Sequence, residues 1–543
     1  MIHLLWSCSL TKGLEENELL LTDVNTQGIN KSNAEAIKAL IQQKPNTKIP
    51  LLNISPGVML YNLGHAFYDS SKLAEKQYQT KQELRKISEK IRQGSTSGKV
   101  EKKYNKLNSK ISNLEKKLEY GNWFMRTGNP KVILDSSKTA TSRQQISIYL
   151  QNNGFFDATV ATEIDKKAKK AKVNYLINEN SLYSIDSLIN TTADTSLQGL
   201  LKEHQKYSFL KKGARYSQTN VTKERQRIED LLKANGYYTF SKSYIEYNVY
   251  KDTLEKHVVI EQIIQNSKEG ENHQVYTIDS ITFTIARPNE LIQDNQVLTT
   301  WKDIRFSMYQ DKYSEKIISS RIFQEKGDLY NKNAVIETQR QLANLDMFRF
   351  VNISFDTLGN SITTKIFTRP NQKFQITNQL GASVTEQLPG PFFSHSLRNR
   401  NIFKGLEIFE FNFRAGLEGV ASATTEGGVY RSRELSTSAS IIFPQFLVPF
   451  NFGTLEKFWQ YNPRTRTLLG YSFVNRPEYV REALNTILAY TWATRNLKQQ
   501  FSVSLLDANL IRSSLDSLFQ DRLEEIQDQG NNLINSFLPS YVS

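Results

Sequence analysis

The 543-residue chain has one cysteine, Cys8, so neither a disulfide framework nor a cysteine-built metal site is available to it. Its six histidines, His3, His65, His204, His257, His273 and His395, form no H-E-x-x-H or other metal spacing. P-loop, G-x-S-x-G and dinucleotide fingerprints are also missing. No enzyme class, cofactor or small-molecule substrate is therefore indicated. No run of eighteen apolar residues occurs and the mean hydropathy is −0.50, which excludes an ordinary transmembrane helix. A transmembrane barrel is not excluded, because alternating strands average their hydropathy away. The length exceeds what one hydrophobic core supports and implies three to five units.

What the chain has in excess is positive charge. The formal net charge is +14, and between Ser71 and Tyr120 fourteen Lys/Arg stand against six Asp/Glu. Leu107, Ile111, Leu114 and Leu118 in this stretch predict two antiparallel helices, turned at Gly94-Ser95-Thr96-Ser97-Gly98. A solvated basic hairpin explains the charge better than a nucleic-acid site, because no helix-turn-helix, zinc finger or aromatic-lined RNA motif accompanies it. The start, MIHLLWSC, resembles a lipobox with Ser7 at the cleavage position and Cys8 as the lipidation candidate. Only seven residues precede that cysteine and none is Lys or Arg, short of a signal segment. Either the reading frame begins upstream or Cys8 is a bystander; the export that later segments demand favours the first.

Three segments repeat a common pattern. RQQISIYLQNNGFF (Arg143–Phe156) and RQRIEDLLKANGYY (Arg225–Tyr238) place Leu150, Tyr149, Ile146 and Leu232, Leu231, Ile228 on one helical face. Gly154 and Gly236 follow where a helix stops in the left-handed conformation. TQRQLANLDMF carries Asp346 at that position, at some conformational cost. Upstream, Gly213, Tyr216 and Val221 recur at unchanged spacing as Gly327, Tyr330 and Val335. Strand-like runs follow each helix, Ser243–Tyr250 with His257–Ile264 and Phe350–Asp356 with Ile362–Thr368. Others precede the helices, as Tyr183–Ile189 and Tyr276–Ile285. The predicted unit is β-α-α-β-β, present three times.

From Phe374 the period changes to two. In Glu407–Glu418 the row Phe409, Phe411, Phe413, Ala415, Leu417 faces away from Glu410, Asn412, Arg414, Gly416, Glu418. Glu434–Phe443, Arg464–Phe473, Glu482–Trp492, Phe501–Asn509 and, more faintly, Gln375–Val384 alternate likewise. Runs of about 9–11 residues suit strands between lipid and a polar interior; soluble sandwich strands are more often about five or six. Phe443, Phe446, Phe450, Tyr490 and Trp492 are placed for an interfacial girdle. A closed bacterial barrel needs an even count of about eight or more strands. With six found, and Asp516–Ser543 reading as helix or loop, the chain is expected to stop inside its barrel.

The fold class expected is thus α+β repeats followed by an antiparallel transmembrane β-barrel, here incomplete. The divisions are a signal-like tether (1–15), a first repeat (16–180) with the basic hairpin inserted at 70–120, a second (181–268), a third (269–370) and part of a barrel (371–543). This arrangement resembles the BamA/TamA superfamily, its repeats resembling POTRA domains. IQQKPN (Ile41–Asn46), GNPKVILDSSKTATSRQQISIYLQNNGFF (Gly128–Phe156), NIFKGLEIFEFNFRAGLE (Asn401–Glu418), FPQFLVPF (Phe443–Phe450) and RTRTLLGYSFVNRPEY (Arg464–Tyr479) resemble the TamA-like lipoproteins (TamL) of Bacteroidetes more closely.

The resemblance implies an outer-membrane factor that receives unfolded outer-membrane or surface proteins, without ATP, alongside a TamB-like envelope-spanning partner and outer-membrane lipid. The family's arginine-containing inward loop and its terminal gate strand have no counterpart in this sequence. Client β-strands are expected to add to sheet edges through main-chain bonds. The candidates are Ser243, Ile245 and Tyr247 in the second repeat, Phe350 and Asn352 in the third, and Phe374 and Ile376 in the first barrel strand. These segments are equally readable as plain sheet strands. A dedicated secretion pore, or a surface receptor or passive channel, is the alternative function.

Overall fold

The computed structural model describes residues 11, 13–49, 55–92, 98–267, 271–286, 297–309, 313–385, 388–418, 432–448, 455–476, 479–494, 499–517, 520–521 and 541–542. Cys8, Phe450, the hairpin turn at 94–97 and most of 516–543 lie outside the described residues. By its contacts the chain divides into two compact units, Met1–Arg225 with Ile245–Gln265 and Gln226–Tyr244 with Asn266–Ser543.

The first unit opens with β1 (Leu20–Gln27), α1 (Ala34–Ala39), α2 (Pro56–Ala66), α3 (Ser70–Arg92), α4 (Gly98–Tyr120), α5 (Trp123–Thr127) and α6 (Ser136–Asn152), then β2 (Thr159–Lys167) and β3 (Lys170–Asn178). β3 pairs parallel with β1 and antiparallel with β2, giving the order β1-β3-β2. Strict alternation in β3 buries Val173, Tyr175 and Ile177 on one face, where Ile146 and Leu150 of α6 join Leu21, Ile37 and Phe155 in one core. Each such side chain contributes about 1.5–3 kcal/mol when fully buried.

The predicted hairpin is formed by α3 and α4, which pack on one another and bury Ile87, Leu107, Ile111 and Leu114. Lys81 and Glu115 bridge them at 3.0 Å. At 3.6 residues per turn, Lys99, Lys103, Lys106, Lys110 and Lys117 share one flank of α4, opposite Glu101, Glu115 and Glu119.

The second repeat supplies β4 (Ser184–Thr192), α7 (Thr195–Glu203), α8 (Gln218–Lys233), β5 (Ile245–Asp252) and β6 (His257–Ile264). Its sheet has the same order, β4-β6-β5, again with the first and last strands parallel. Ser243 departs from expectation: it lies in a 3-10 turn, Lys242–Tyr244, and the strand starts at Ile245. Ser241 accounts for this, its hydroxyl accepting from the Ser243 backbone N–H and holding a local turn that competes with extension.

The second unit contains the third repeat, β7 (Thr277–Ile285), β8 (Val297–Trp301), β9 (Ile304–Met308), α9 (Glu315–Ser319), α10 (Lys332–Asn344), β10 (Phe348–Leu358) and β11 (Ser361–Pro370). The β-α-α-β-β expectation misses the hairpin β8–β9. β9 pairs parallel with β7 and extends the sheet to β10-β11-β7-β9-β8. Its inner strand buries Ile304, Phe306 and Met308 in the same core as Phe283, Ile318 and Leu342.

Backbone hydrogen bonds identify the repeat. Gly213 N–H donates to Ile185 O and Gly327 N–H to Ile278 O, while Tyr216 N–H donates to Tyr183 O and Tyr330 N–H to Tyr276 O. One isolated bridge recurs per repeat, Leu20 with Ile133, Ser184 with Arg215 and Thr277 with Leu329. Gly154 and Gly236 have φ of 87° and 98°, and Asp346 at the third copy has φ 56°.

The large sheet runs β12 (Phe374–Thr385), β13 (Leu388–Arg400), β14 (Ile408–Glu418), β15 (Ser432–Phe443), β16 (Arg464–Asn475), β17 (Tyr479–Ala493) and β18 (Gln500–Leu515), with the two-residue β19 (Tyr541–Val542) beside β18. Each strand pairs antiparallel with its sequence neighbour. Among the described residues seven long strands stand where six were expected. The addition is β13, whose opening Pro389-Gly390-Pro391 reads as a turn. Among the described residues nothing pairs β12 with the last strands, so the sheet is open, in keeping with an incomplete barrel.

Candidate functional site: strand edges and the foot of the large sheet

All three segments singled out as client-pairing strands lie at sheet edges. Among the described residues β5 pairs with β6 alone, β10 with β11 alone and β12 with β13 alone. Ile245 and Tyr247 lie in β5, Phe350 and Asn352 in β10, Phe374 and Ile376 in β12. An edge strand presents unpaired N–H and C=O groups to whatever extended chain comes beside it. On β5 the Tyr247 hydroxyl donates to Gln262 at 3.0 Å and the Tyr250 hydroxyl to Glu261 at 2.9 Å, so these side chains are fixed to the inner strand.

The large sheet has two chemically distinct faces, kept in register across its strands. Phe411 pairs with Leu397 and Ala439, and Ala439 with Leu469, so these share one face. The neighbouring row, Ser396, Asn412, Ser438, Gly470 and Asn485, is polar or small. Side chains on that face bond across strands, with Asn412 to Ser396 at 2.8 Å, Glu410 to Arg398 at 2.8 Å and Asn485 to Asn509 at 2.6 Å. On β12 the apolar row is open to its surroundings: Leu380 is 86% exposed and Val384 70%, with Phe374 and Ile376 over half exposed. These strands of 11 to 16 residues meet the length a bilayer requires.

One end of the sheet meets the third repeat. At this end Phe446 lies 5.2 Å from Tyr490 and 6.1 Å from Trp492, which stacks on Phe501 at 5.4 Å. Phe446, Tyr490 and Trp492 of the predicted aromatic girdle thus gather at the end nearest the repeat. Arg321, fully buried, donates through both terminal nitrogens to the carbonyls of Pro444 and Trp459, each at 2.6 Å. Burial, and then the positive charge of Arg464, pushes its pKa down to about 9, which leaves it charged at neutral pH. Lys302 and Lys316 lie over the Trp459 ring at 5.7 and 5.8 Å.

Asp346 belongs to the same junction. Its carboxylate accepts from Arg400 at 3.0 Å and Arg398 at 3.3 Å, and its carbonyl from Arg400 Nε at 2.9 Å. The left-handed backbone that glycine adopts freely in the first two repeats is held here by two arginines of β13. Neither Arg321 nor the Arg400–Asp346 pair was singled out from the sequence. The departure from glycine at Asp346 was the only signal pointing there.

Between the third repeat and the foot of β12 lies an open cleft of about 660 Å³. Arg349, Arg369, Lys373, Arg400 and Lys404 line it, with Tyr309 and Tyr313 on one wall. Among the described residues no carboxylate lines it. Among the described residues no helix is long and apolar enough to cross a membrane, and no cluster of potential metal ligands occurs.

Comparison with known proteins adds a domain match. Residues 78–180 match the family model of the POTRA domain, described as a surface antigen variable number repeat. No curated protein matches the chain. Among solved structures, POTRA3-5 of Haemophilus influenzae BamA is 12% identical over 66% of this chain and 99% of its own, with a TM-score of 0.29. BamA of Haemophilus ducreyi lacking POTRA domains 1-3 is 12% identical over 67% of this chain, with a TM-score of 0.36, and the chain covers 57% of it. CdiB of Acinetobacter baumannii is 11% identical over 62% of this chain and 64% of its own, at a TM-score of 0.24.

Proposed function

We propose that the chain is an outer-membrane assembly factor whose repeats accept extended client segments in the periplasm and whose large sheet aids their insertion into the bilayer. The observation that carries this reading is β12. A twelve-residue strand with one backbone edge unpaired among the described residues and an exposed apolar row offers a client both main-chain partners and a surface continuous with lipid. Backbone pairing is indifferent to side-chain identity, which suits a factor with many clients. The POTRA match over 78–180 supports the arm's assignment. The factor needs no catalytic residue or cofactor, because strand exchange and burial in lipid supply the driving force.

Photo-crosslinkers at Ile376 and Gln379 in β12, and at Tyr247 and Asn248 in β5, test the reading in growing cells. The expected result is adducts with several outer-membrane proteins at β12, and with the same set at β5. Adducts with one secreted protein alone would instead assign a dedicated secretion pore. Adducts with none, alongside normal outer-membrane protein levels in a deletion strain, would leave a receptor or passive channel. The TamL-like segments extend the proposal to a TamB-like partner and a lipid anchor on Cys8; co-purification and fatty-acid labelling test these separately.

A further inference from the structure

We infer that the cleft at the foot of β12 is a binding site for the phosphate-bearing headgroup of an anionic lipid, with the lipid's acyl chains lying along the apolar row of β12. The inference rests on reading the large sheet as membrane-embedded, and it adds a ligand to the edge strand.

Charge carries the first part. Of the five cations around the cleft, Arg400 is committed to Asp346, to the Gln372 carbonyl and to Gln375. The other four, Arg349, Arg369, Lys373 and Lys404, pair with no carboxylate among the described residues. Arg369 lies over Phe350 and Phe367 at 5.9 and 6.0 Å, and Lys373 over Phe374 at 5.5 Å. The buried Arg369 Nε has no hydrogen-bond partner among the described residues. Like charges gathered without a counter-charge repel one another, and an anion in the cleft relieves this. The paired hydroxyls of Tyr309 and Tyr313, 3.2 Å apart on the wall, add neutral donors of the kind a phosphate oxygen accepts.

Position carries the second part. Lys373 directly precedes β12, and Lys404 lies in the turn from β13 to β14, at the end of the sheet where the aromatic girdle gathers. Gln375 lines the cleft from the other face of β12, so the chains of a lipid bound there reach the exposed side chains of Phe374, Ile376 and Leu380 around the strand's outer edge, which has no pairing strand among the described residues. The cleft's volume is within the ~300–1,000 Å³ usual for small-ligand sites. Basic pockets at the bilayer boundary suit lipid phosphates because local dielectric is low and the anion is already anchored by its tails.

Native mass spectrometry of the full chain in neutral detergent tests the site with three probes: dioleoylphosphatidylglycerol, dioleoylphosphatidylcholine and inorganic phosphate. The expected result is at least tenfold tighter retention of phosphatidylglycerol than of phosphatidylcholine. That preference should disappear in R349Q/K373Q/K404Q, whose exposed side chains leave the fold intact by circular dichroism. It should persist in K103Q/K106Q/K110Q/K117Q, which strips the basic hairpin instead. Inorganic phosphate binding as tightly as phosphatidylglycerol would make this a free-phosphate site and overturn the lipid assignment. Equal retention of both lipids, or an unchanged preference in the cleft variant, would overturn the site itself. Crosslinking to clients reads independently, so a chain that selects phosphatidylglycerol but yields no adducts keeps this site and loses the assembly role.

Discussion

At the scale of single residues, the junction between the third repeat and the large sheet rests on charges bonded to backbone. Arg321 satisfies two carbonyls of the 444–462 connection without a carboxylate partner among the described residues. Arg321→Met keeps the volume and removes the donors, leaving two buried acceptors that cost about 1–3 kcal/mol each; relief of a buried charge offsets part of this. Hydrogen exchange should accelerate across 455–462 while β14 and β15 keep their protection. Asp346→Gly should be milder than Asp346→Ala by about 1 kcal/mol, because both lose the arginine contacts but only alanine resists φ of 56°. Thermal denaturation of the two variants compares them directly.

A pH effect belongs to the joint between the first two repeats. The Asp157 carboxylate accepts from the Tyr183 hydroxyl at 2.8 Å and Lys256 at 3.0 Å, and these contacts, Tyr183 first, hold its pKa below the usual range. A carboxyl depressed in the folded state stabilises it fully above the unfolded value, and the contribution is lost as pH falls through the folded pKa. The melting-temperature difference between wild type and Asp157→Asn should therefore hold steady above about pH 5 and shrink below about pH 4.

At the scale of elements, the repeat was readable because its marks are local. Gly154 and Gly236 end helices, and Ile146, Leu150, Ile228 and Leu232 lie one or two turns before them. β6 was legible residue for residue, as the β-branched residues Val258, Val259, Ile260, Ile263 and Ile264 mark a strand from His257 to Ile264. β13 was not, since Pro389 and Pro391 signal a turn and Phe392–Phe393 breaks the alternation. β8 and β9 escaped because five residues carry too little period. That β5, β10 and β12 are edges follows from sheet order, which no single strand encodes. Arg321 reaches partners 123 and 138 residues away, beyond any local pattern.

The hairpin α3–α4 offers an independent check on element autonomy. Ile111→Ala removes a buried side chain at about 2–5 kcal/mol. Its core lies between α3 and α4, so faster exchange should be confined to these two helices, with β1, β2 and β3 unaffected. Loss of protection throughout the first repeat would show instead that the insertion is integral to that repeat's core.

At the scale of the molecule, the assembly role and the lipid site both require the large sheet to lie in a bilayer with Phe411, Ala439 and Leu469 facing lipid and Asn412, Ser438 and Gly470 facing the polar side. Spin labels at these six positions, one per variant with Cys8 replaced by serine and the chain reconstituted in phospholipid, report the two faces by collision with oxygen and with a water-soluble nickel complex. The expected result is oxygen-dominated relaxation at Phe411, Ala439 and Leu469 and nickel-dominated relaxation at their immediate neighbours. Equal nickel accessibility on both rows, strand after strand, would contradict it.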